Sequence, residues 1–376
     1  MRRELPVHPL ITGLTAALDY WQRGEPVALA TVVEVIGSAP AGIGASVLVD
    51  AAGAIAAGIT AGCVESHIVT AAAQVLRDQV PVCKEFDYDA DAPLQPVPAC
   101  GGRLRVLLEP VDTRSWPDLP ATVDLLRTGD AAALVVELLE SERAVRHLVV
   151  TPTASVGGLS TSERTRTAVA WVRDRMAMAA SDSGSAAGVG IQGVPLAKAI
   201  MVPPRWRLLI VGAVEYGRML SPLAQSMGFD VTVCDARPAF LTPERFPGAT
   251  LVRAQPGAWL AEHAEQELTD RTAVCVLSHD PRIDVPATAA ALRSAAAYVG
   301  ALGSRATHAD RERRLRAIGF GDEQLARLRA PIGLDLQAST PAETALAILA
   351  EVMAVRGGGS GRPLTQLDGP IHQRPG

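Results

Sequence analysis

An apolar run, a glycine turn and a second apolar run ending in a carboxylate confine the C-terminal half of this chain to one fold. Leu208-Leu-Ile-Val-Gly212-Ala-Val214-Glu215-Tyr-Gly217 is followed by Val231-Thr-Val-Cys-Asp235. Strand, glycine turn, helix, strand and acid, in that order, make the first half of a dinucleotide-binding unit. The middle glycine of G-x-G-x-x-G is missing. Val214 puts a β-branched side chain where the backbone would approach a pyrophosphate. The pattern predicts a Rossmann-type sheet, and NAD(P) binding is not expected of it.

At 376 residues the chain can bury two sizeable cores. Pro203-Pro204 punctuates it just before the Rossmann strand. The reading is an N-terminal domain with a connecting segment over 1–193, a C-terminal domain over 205–356, and a glycine- and proline-rich tail over 357–376 expected to be flexible. Downstream, Ala273 to Leu277 and Tyr298 to Leu302 continue the strand pattern between helical segments, with Asp310 to Ile318, Asp322 to Leu328 and Pro341 to Val355 read as helices after the last strand, which predicts a doubly wound parallel sheet. The N-terminal half reads as a glycine-rich α/β domain, with Ser181 to Gly193 as a loop. A formal net charge of −5 argues against nucleic-acid binding. No signal peptide or apolar membrane span is legible, so a cytoplasmic location without membrane attachment is expected. Lys84 and Lys198 are the only lysines and neither lies in a P-loop pattern, which removes P-loop ATPase chemistry.

Several segments could carry chemistry. Gly37-Ser38-Ala39-Pro40 with Gly42 and Gly44 ends a strand, and its small residues and hydroxyl suit either an anion nest or a tight connection. In Gly58-Ile-Thr-Ala-Gly62-Cys63-Val64-Glu65 a thiol and a carboxylate lie in the first turn of a helix, where the dipole favours anions and lowers a cysteine pKa. Cys100-Gly101-Gly102 sets a thiol beside two glycines before a strand, as a ligand contact or a β-bulge would. The other three cysteines, Cys83, Cys234 and Cys275, sit on strand patterns and read as core. At the expected carboxyl edge of the C-terminal sheet lie Asp235-Ala-Arg237, Ser278-His279-Asp280 and Gly303-Ser304-Arg305. The run Arg311 to Arg316 reads as a solvated helix face.

Taken in order, these segments resemble the XdhC/CoxI family of xanthine dehydrogenase accessory proteins. The ordered set includes Gly37-Ser38-Ala39-Pro40, Gly58, Gly62-Cys63-Val64-Glu65, Cys100-Gly101-Gly102, Asp235-Ala-Arg237, Ser278-His279-Asp280, Gly303-Ser304-Arg305 and Pro331-Ile-Gly333-Leu-Asp335. The resemblance implies a protein that binds the molybdenum cofactor (molybdopterin), protects it, and assists its insertion into a molybdenum hydroxylase apo-enzyme. A homodimer and a cysteine desulfurase as a further partner are expected with it. No turnover chemistry is assigned to the chain. Five cysteines cannot supply the ligands of two Cys₄ iron–sulfur clusters, so it is not the iron–sulfur portion of that enzyme.

On this reading Cys63 and Cys100 are the candidate molybdenum contacts, because a thiolate is a soft ligand. Gly37, Ser38, Pro40, Gly44, Gly58, Gly62, Glu65, Gly101 and Gly102 would shape their pocket. Gly212, Gly217, Asp235, Arg237, His279, Asp280, Gly303, Ser304 and Arg305 would line a second one. The family's C-terminal turn commonly reads Gly-Ala-Gly-His, and Val214 and Glu215 depart from it here. Two alternatives stand beside this reading: an NAD(P)-dependent oxidoreductase whose Asp235 holds a ribose hydroxyl, and a redox-regulated scaffold with no small ligand.

Overall fold

The structure, a computed structural model, describes residues 8–37, 41–57, 65–87, 102–139, 143–179, 188–192 and 194–368. The chain divides into two compact units between Pro204 and Arg205.

The N-terminal unit runs α1 (Pro9–Arg23), β1 (Val27–Gly37), β2 (Ser46–Asp50), β3 (Ile55–Ala57), α2 (Glu65–Asp78), β4 (Val82–Asp87), β5 (Gly102–Val111) and then α3 (Leu119–Leu126), β6 (Ala132–Leu139), β7 (Ala144–Val150), β8 (Ser155–Gly157), α4 (Ser162–Ala179), β9 (Gly188–Ile191) and β10 (Val194–Val202). It holds two five-stranded sheets, ordered β3-β2-β1-β5-β4 and β8-β7-β6-β10-β9. The second sheet repeats the first: a helix leads into the central strand, two strands follow outward, and a helix crosses to the far edge. Within each sheet the pairings are antiparallel.

Period-two alternation explains why both faces of each sheet are covered. Leu29 and Val33 of β1 and Leu134 and Val136 of β6 point into one shared cluster, which α1 and α3 fill with Leu10, Leu14, Leu119 and Leu126. Their strand neighbours Ala28, Ala30 and Val32 face Ile68, Ala72 and Val75 of α2. Ala133 and Val135 face Ala168 and Val172 of α4. A buried pair joins the sheets, with His147 Nε2 and Glu109 Oε2 2.8 Å apart and Trp116 stacked on the imidazole.

The C-terminal unit runs β11 (Arg207–Val211), α5 (Glu215–Ser226), β12 (Asp230–Cys234), β13 (Thr250–Val252), α6 (Pro256–Glu267), β14 (Thr272–Val276), α7 (Pro281–Arg293), β15 (Tyr298–Ala301), α8 (Arg305–Ala317), α9 (Asp322–Leu325), β16 (Leu328–Arg329) and α10 (Pro341–Gly357). Its six strands are all parallel, in the order β13-β12-β11-β14-β15-β16. That is the Rossmann order, with its reversal between β11 and β14. Leu208 and Ile210 pack against α5 and α10 on one face, and Leu209 and Val211 against α6 and α7 on the other. Continuous apolar runs follow from this two-sided burial. Gly217 permits the close approach of α5 to β11: a Cβ there would stand 3.0 Å from Ile210 Cγ2.

Four expectations need correction. Gly188–Ile191 is a strand rather than part of a loop, paired with β10, because glycine-rich sequence hides a backbone pairing that needs no side chains. Cys83 is exposed rather than core. It lies on the edge strand β4, where Val82 and Phe86 take the face toward the core and Cys83 the other. The run from Arg311 is not wholly solvated, since Arg311 is 2% exposed. The helix expected over 322–328 ends at Leu325, and Leu328 begins the edge strand β16.

Candidate functional site

In the C-terminal unit the candidate residues fall at the carboxyl ends of β11, β12, β14 and β15, the edge at which doubly wound sheets receive ligands. At the first turn Gly212 has φ +101°, which favours glycine, and Val214 in extended conformation opens α5. The Ala213 amide, which would face a phosphate, instead donates to Asp235 Oδ2 at 2.7 Å. The same carboxylate accepts from the Arg237 amide at 2.8 Å and from the Arg237 guanidinium at 3.0 and 2.8 Å. Asp235 is 3% exposed. Burial alone would raise its pKa, but the Arg237 side chain and the two amides outweigh it and hold the carboxyl below its usual range. An ionised, buried and fully engaged carboxylate has little left to offer a ribose.

The mouth of α5 carries a second obstacle. Glu215, its first residue, is held by Arg218 at 2.6 to 3.0 Å, and that hydrogen-bonded pairing keeps its pKa low. A negative charge therefore already sits at the helix N-terminus that would receive a phosphate. Arg245 secures the turn from the other side, donating to the carbonyls of Ala213 and Phe240. Arg237 and Arg245 both lie over the half-exposed Phe240 ring.

At the end of β14, His279 is exposed with its ring edge-on to Tyr216. Asp280 caps α7 by accepting from the Arg282 amide, and the Arg282 side chain pulls its pKa down to about 2. At the end of β15, Gly303 has φ +143° and Ser304 caps α8 through the Thr307 amide. Arg305 stands exposed at the start of that helix. Beneath the turn lies a buried ion pair, Arg311 with Asp284 at 2.6 and 2.8 Å.

In the N-terminal unit the described backbone brings the ends of the motif segments together. Gly37, the last residue of β1, pairs with Gly102, the first of β5, and Asp87 at the end of β4 pairs with Arg103. β3 runs in the same direction as β1 and β4. The segments carrying Ser38, Cys63 and Cys100 thus leave strands that run to one end of a single sheet. Ser38, Pro40, Gly58, Gly62, Cys63, Cys100 and Gly101 themselves lie outside the described residues. Glu65 is the first residue of α2. A lattice of ion pairs surrounds this end, with Glu34 3.2 Å from both Arg105 and Lys198, and Glu85 3.0 Å from Arg103. Gly44, at φ +82°, has the space of a Cβ filled by His8 and Ile200, so packing accounts for its glycine.

The buried thiols are poor metal ligands. Burial pushes the Cys234 thiol up to about 12 and raises that of fully buried Cys275 further. Among the described residues no cluster of three or more His, Cys, Asp or Glu side chains could hold a metal ion. No helix of the described residues is long and apolar enough to cross a membrane.

Sequence reasoning missed Arg245 and the Arg311–Asp284 pair. Arg245 gives no signal, being one arginine of many in a loop. Arg311 does, because Leu315 four residues on is buried and shares its helix face.

Two family models match the chain: one described as the XdhC Rossmann domain over residues 208–352, and one described as the XdhC and CoxI family over residues 20–88. The molybdenum cofactor insertion chaperone PaoD of Escherichia coli K12 is 26% identical over 92% of this chain and 88% of its own length. A Bacillus subtilis protein described as a probable xanthine dehydrogenase component is 26% identical over 88% of this chain and 94% of its own. The crystal structure of a protein from Bacillus halodurans described as a xanthine dehydrogenase matches 92% of this chain and 95% of its own, with a TM-score of 0.69 and 24% identity, a likeness of fold.

Proposed function

As the chain belongs to the XdhC and CoxI family, we propose that it binds the molybdenum cofactor, shields it, and inserts it into a molybdenum hydroxylase of the xanthine dehydrogenase type. The observation that carries this reading is the convergence at one end of the first sheet, where β1, β4 and β5 meet and toward which β3 runs. Strands so arranged can present Ser38, Cys63 and Cys100 to one ligand, flanked by the small residues Gly37, Gly58, Gly62, Gly101 and Gly102. The name of the Escherichia coli relative, matched over 88% of its length, supports the same role, and that of the Bacillus subtilis relative supports the tie to a xanthine dehydrogenase.

The donor chemistry fits a thiophilic metal. Cys234 and Cys275 are held protonated by burial and Cys83 lies at the start of β4, away from the end where the motif segments converge, so the reading assigns soft ligation to Cys63 and Cys100. The cofactor supplies a molybdenum centre that accepts sulfur ligands. The chain's own part is to bind the pterin, hold thiolates at the metal and exclude water. Residues 1–193 are then the cofactor-handling domain, and the cytoplasm, a homodimeric state and a cysteine desulfurase as sulfur source belong to the same proposal.

The nicotinamide-dependent alternative asks more of the first Rossmann turn than it offers, since Val214, the engaged Asp235 and Glu215 all oppose a pyrophosphate. The reading is tested by incubating the chain with cofactor released from a molybdoenzyme and separating by gel filtration. Pterin should travel with the protein, and Cys100→Ser should release it with the melting temperature unchanged. Pterin confined to the small-molecule fraction contradicts the reading.

A further inference from the structure

The helix α10 turns an apolar side to solvent. Ala345, Ile348, Leu349 and Val352 bury its inner side, and from Ala345 to Val355 its only charged residue is Glu351, which is spent on the Tyr298 hydroxyl and the Gly333 amide. On the outer side the row at four-residue spacing is Ala342, Leu346 and Ala350, with Leu346 54% exposed. A helix packed only on its own sheet keeps polar residues on the far side, and a helix apolar all round is covered there as well.

The surface beside Leu346 extends that face. Leu334 lies against α10, its amide donating to the Ala347 carbonyl at 3.1 Å, and a Cβ on Gly361 would stand 3.2 Å from Leu334 Cδ2, so the chain beyond α10 folds back to this loop. Leu336, just after Leu334, and Leu364 and Leu367, just after Gly361, are the other exposed leucines among the described residues. Apolar surface gathered in one place to the order of a few hundred Å² marks an interaction site.

Two features fit this patch to a copy of itself. The row Ala342, Leu346, Ala350 reads the same in both directions, so an antiparallel copy sets Leu346 on Leu346 and each Ala342 on an Ala350, small residues that let two helices approach. Charges of both signs border the row, as a self-complementary surface requires. Glu343 makes its contacts to Ser339 and the Thr340 amide through Oε2 and keeps Oε1 free, and the Arg362 guanidinium donates only to the Gln366 carbonyl. We propose that α10 packs antiparallel against α10 of a second copy about a two-fold axis at Leu346, with Glu343 of each copy facing Arg362 of the other. The proposal rests on the homodimeric state given above and assigns its surface.

Sedimentation equilibrium of the full chain, with and without Leu346→Arg, reads the association directly. The unmodified chain should be dimeric at micromolar concentration, and Leu346→Arg should weaken the dimer at least about thirtyfold with its far-ultraviolet circular dichroism unchanged, because the side chain is exposed. Leu346→Cys tests the axis itself, since a residue on a two-fold meets its own copy. Mild oxidation should give a covalent dimer beyond any that the unmodified chain forms with its own thiols, and Ala258→Cys, equally exposed on α6, should not. A dimer indifferent to Leu346→Arg, or a Leu346→Cys chain that cross-links no more than the unmodified one, overturns the surface and leaves the homodimeric state standing. An unmodified chain that stays monomeric defeats the homodimeric state itself, and the leucines then face a different protein. Neither measurement involves the cofactor, so the carrier reading is decided apart from both.

Discussion

His8 closes the N-terminal end of α1 with its own ring, its Nδ1 accepting from the Leu10 amide at 3.3 Å. Burial lowers its pKa from 6.5 to about 4. Between those values the unfolded chain binds a proton that the folded chain refuses, so stability falls as pH drops from 6.5 toward 4 and is retained above that window. The loss amounts to roughly 3 kcal/mol at the acid end. His8→Asn keeps an acceptor at the cap and removes the titration. Its thermal melts from pH 7 to pH 4 should lose less stability than those of the unmodified chain, and parallel curves would contradict the assignment. At the first Rossmann turn, Val214→Gly restores the missing glycine yet leaves Asp235 on the Ala213 amide and Glu215 on Arg218. Two lost charge-assisted contacts of about 1.5–3 kcal/mol each already weaken binding by two or more powers of ten. NADH titration of Val214→Gly should therefore show no saturation below about millimolar.

Element by element, legibility followed the strength of the apolar period. β1, β11, β12, β14 and β15 bury both faces in continuous runs, and those runs stand out in the sequence. β9, β13 and β16 are short edge strands whose place is set by backbone pairing with a neighbour, and nothing in their side chains announces it. The site residues at the carboxyl edge were legible as small-residue turns, but the engagement of Asp235 by Ala213 and Arg237 was not, because it depends on the fold bringing β11 and β12 side by side. α8 shows the same limit: Arg311 is buried on Asp284 while Arg313, Arg314 and Arg316 of the same run meet acids at the surface. Arg311→Met leaves Asp284 buried with only the Thr288 hydroxyl for company, at a cost of about 3–5 kcal/mol. Arg313→Ala removes a surface pair and should leave urea denaturation unchanged. Similar losses from both would mean that the Arg311 pair is no more than a surface contact.

At the scale of the whole molecule, one chain joins a twice-repeated antiparallel unit to a Rossmann unit. In the first repeat the strand ends open into the segments of Ser38, Cys63 and Cys100. In the second, the corresponding approach to α4 is closed by Glu137, which is fully buried and accepts from the Ser160 amide at 2.7 Å, from the Ser160 hydroxyl and from Arg164. On the proposed cofactor reading, the first repeat is the one that holds the ligand. The Rossmann unit keeps the architecture of a dinucleotide fold while its first turn carries Val214, Glu215 paired with Arg218, and an Asp235 already engaged by Ala213 and Arg237. The most direct measurement sets the two readings side by side, with the unmodified full chain titrated in parallel with released molybdenum cofactor and with NADH. Saturable retention of the pterin, with no NADH binding below about millimolar, is the expected result. Micromolar NADH binding with no pterin retained would contradict it.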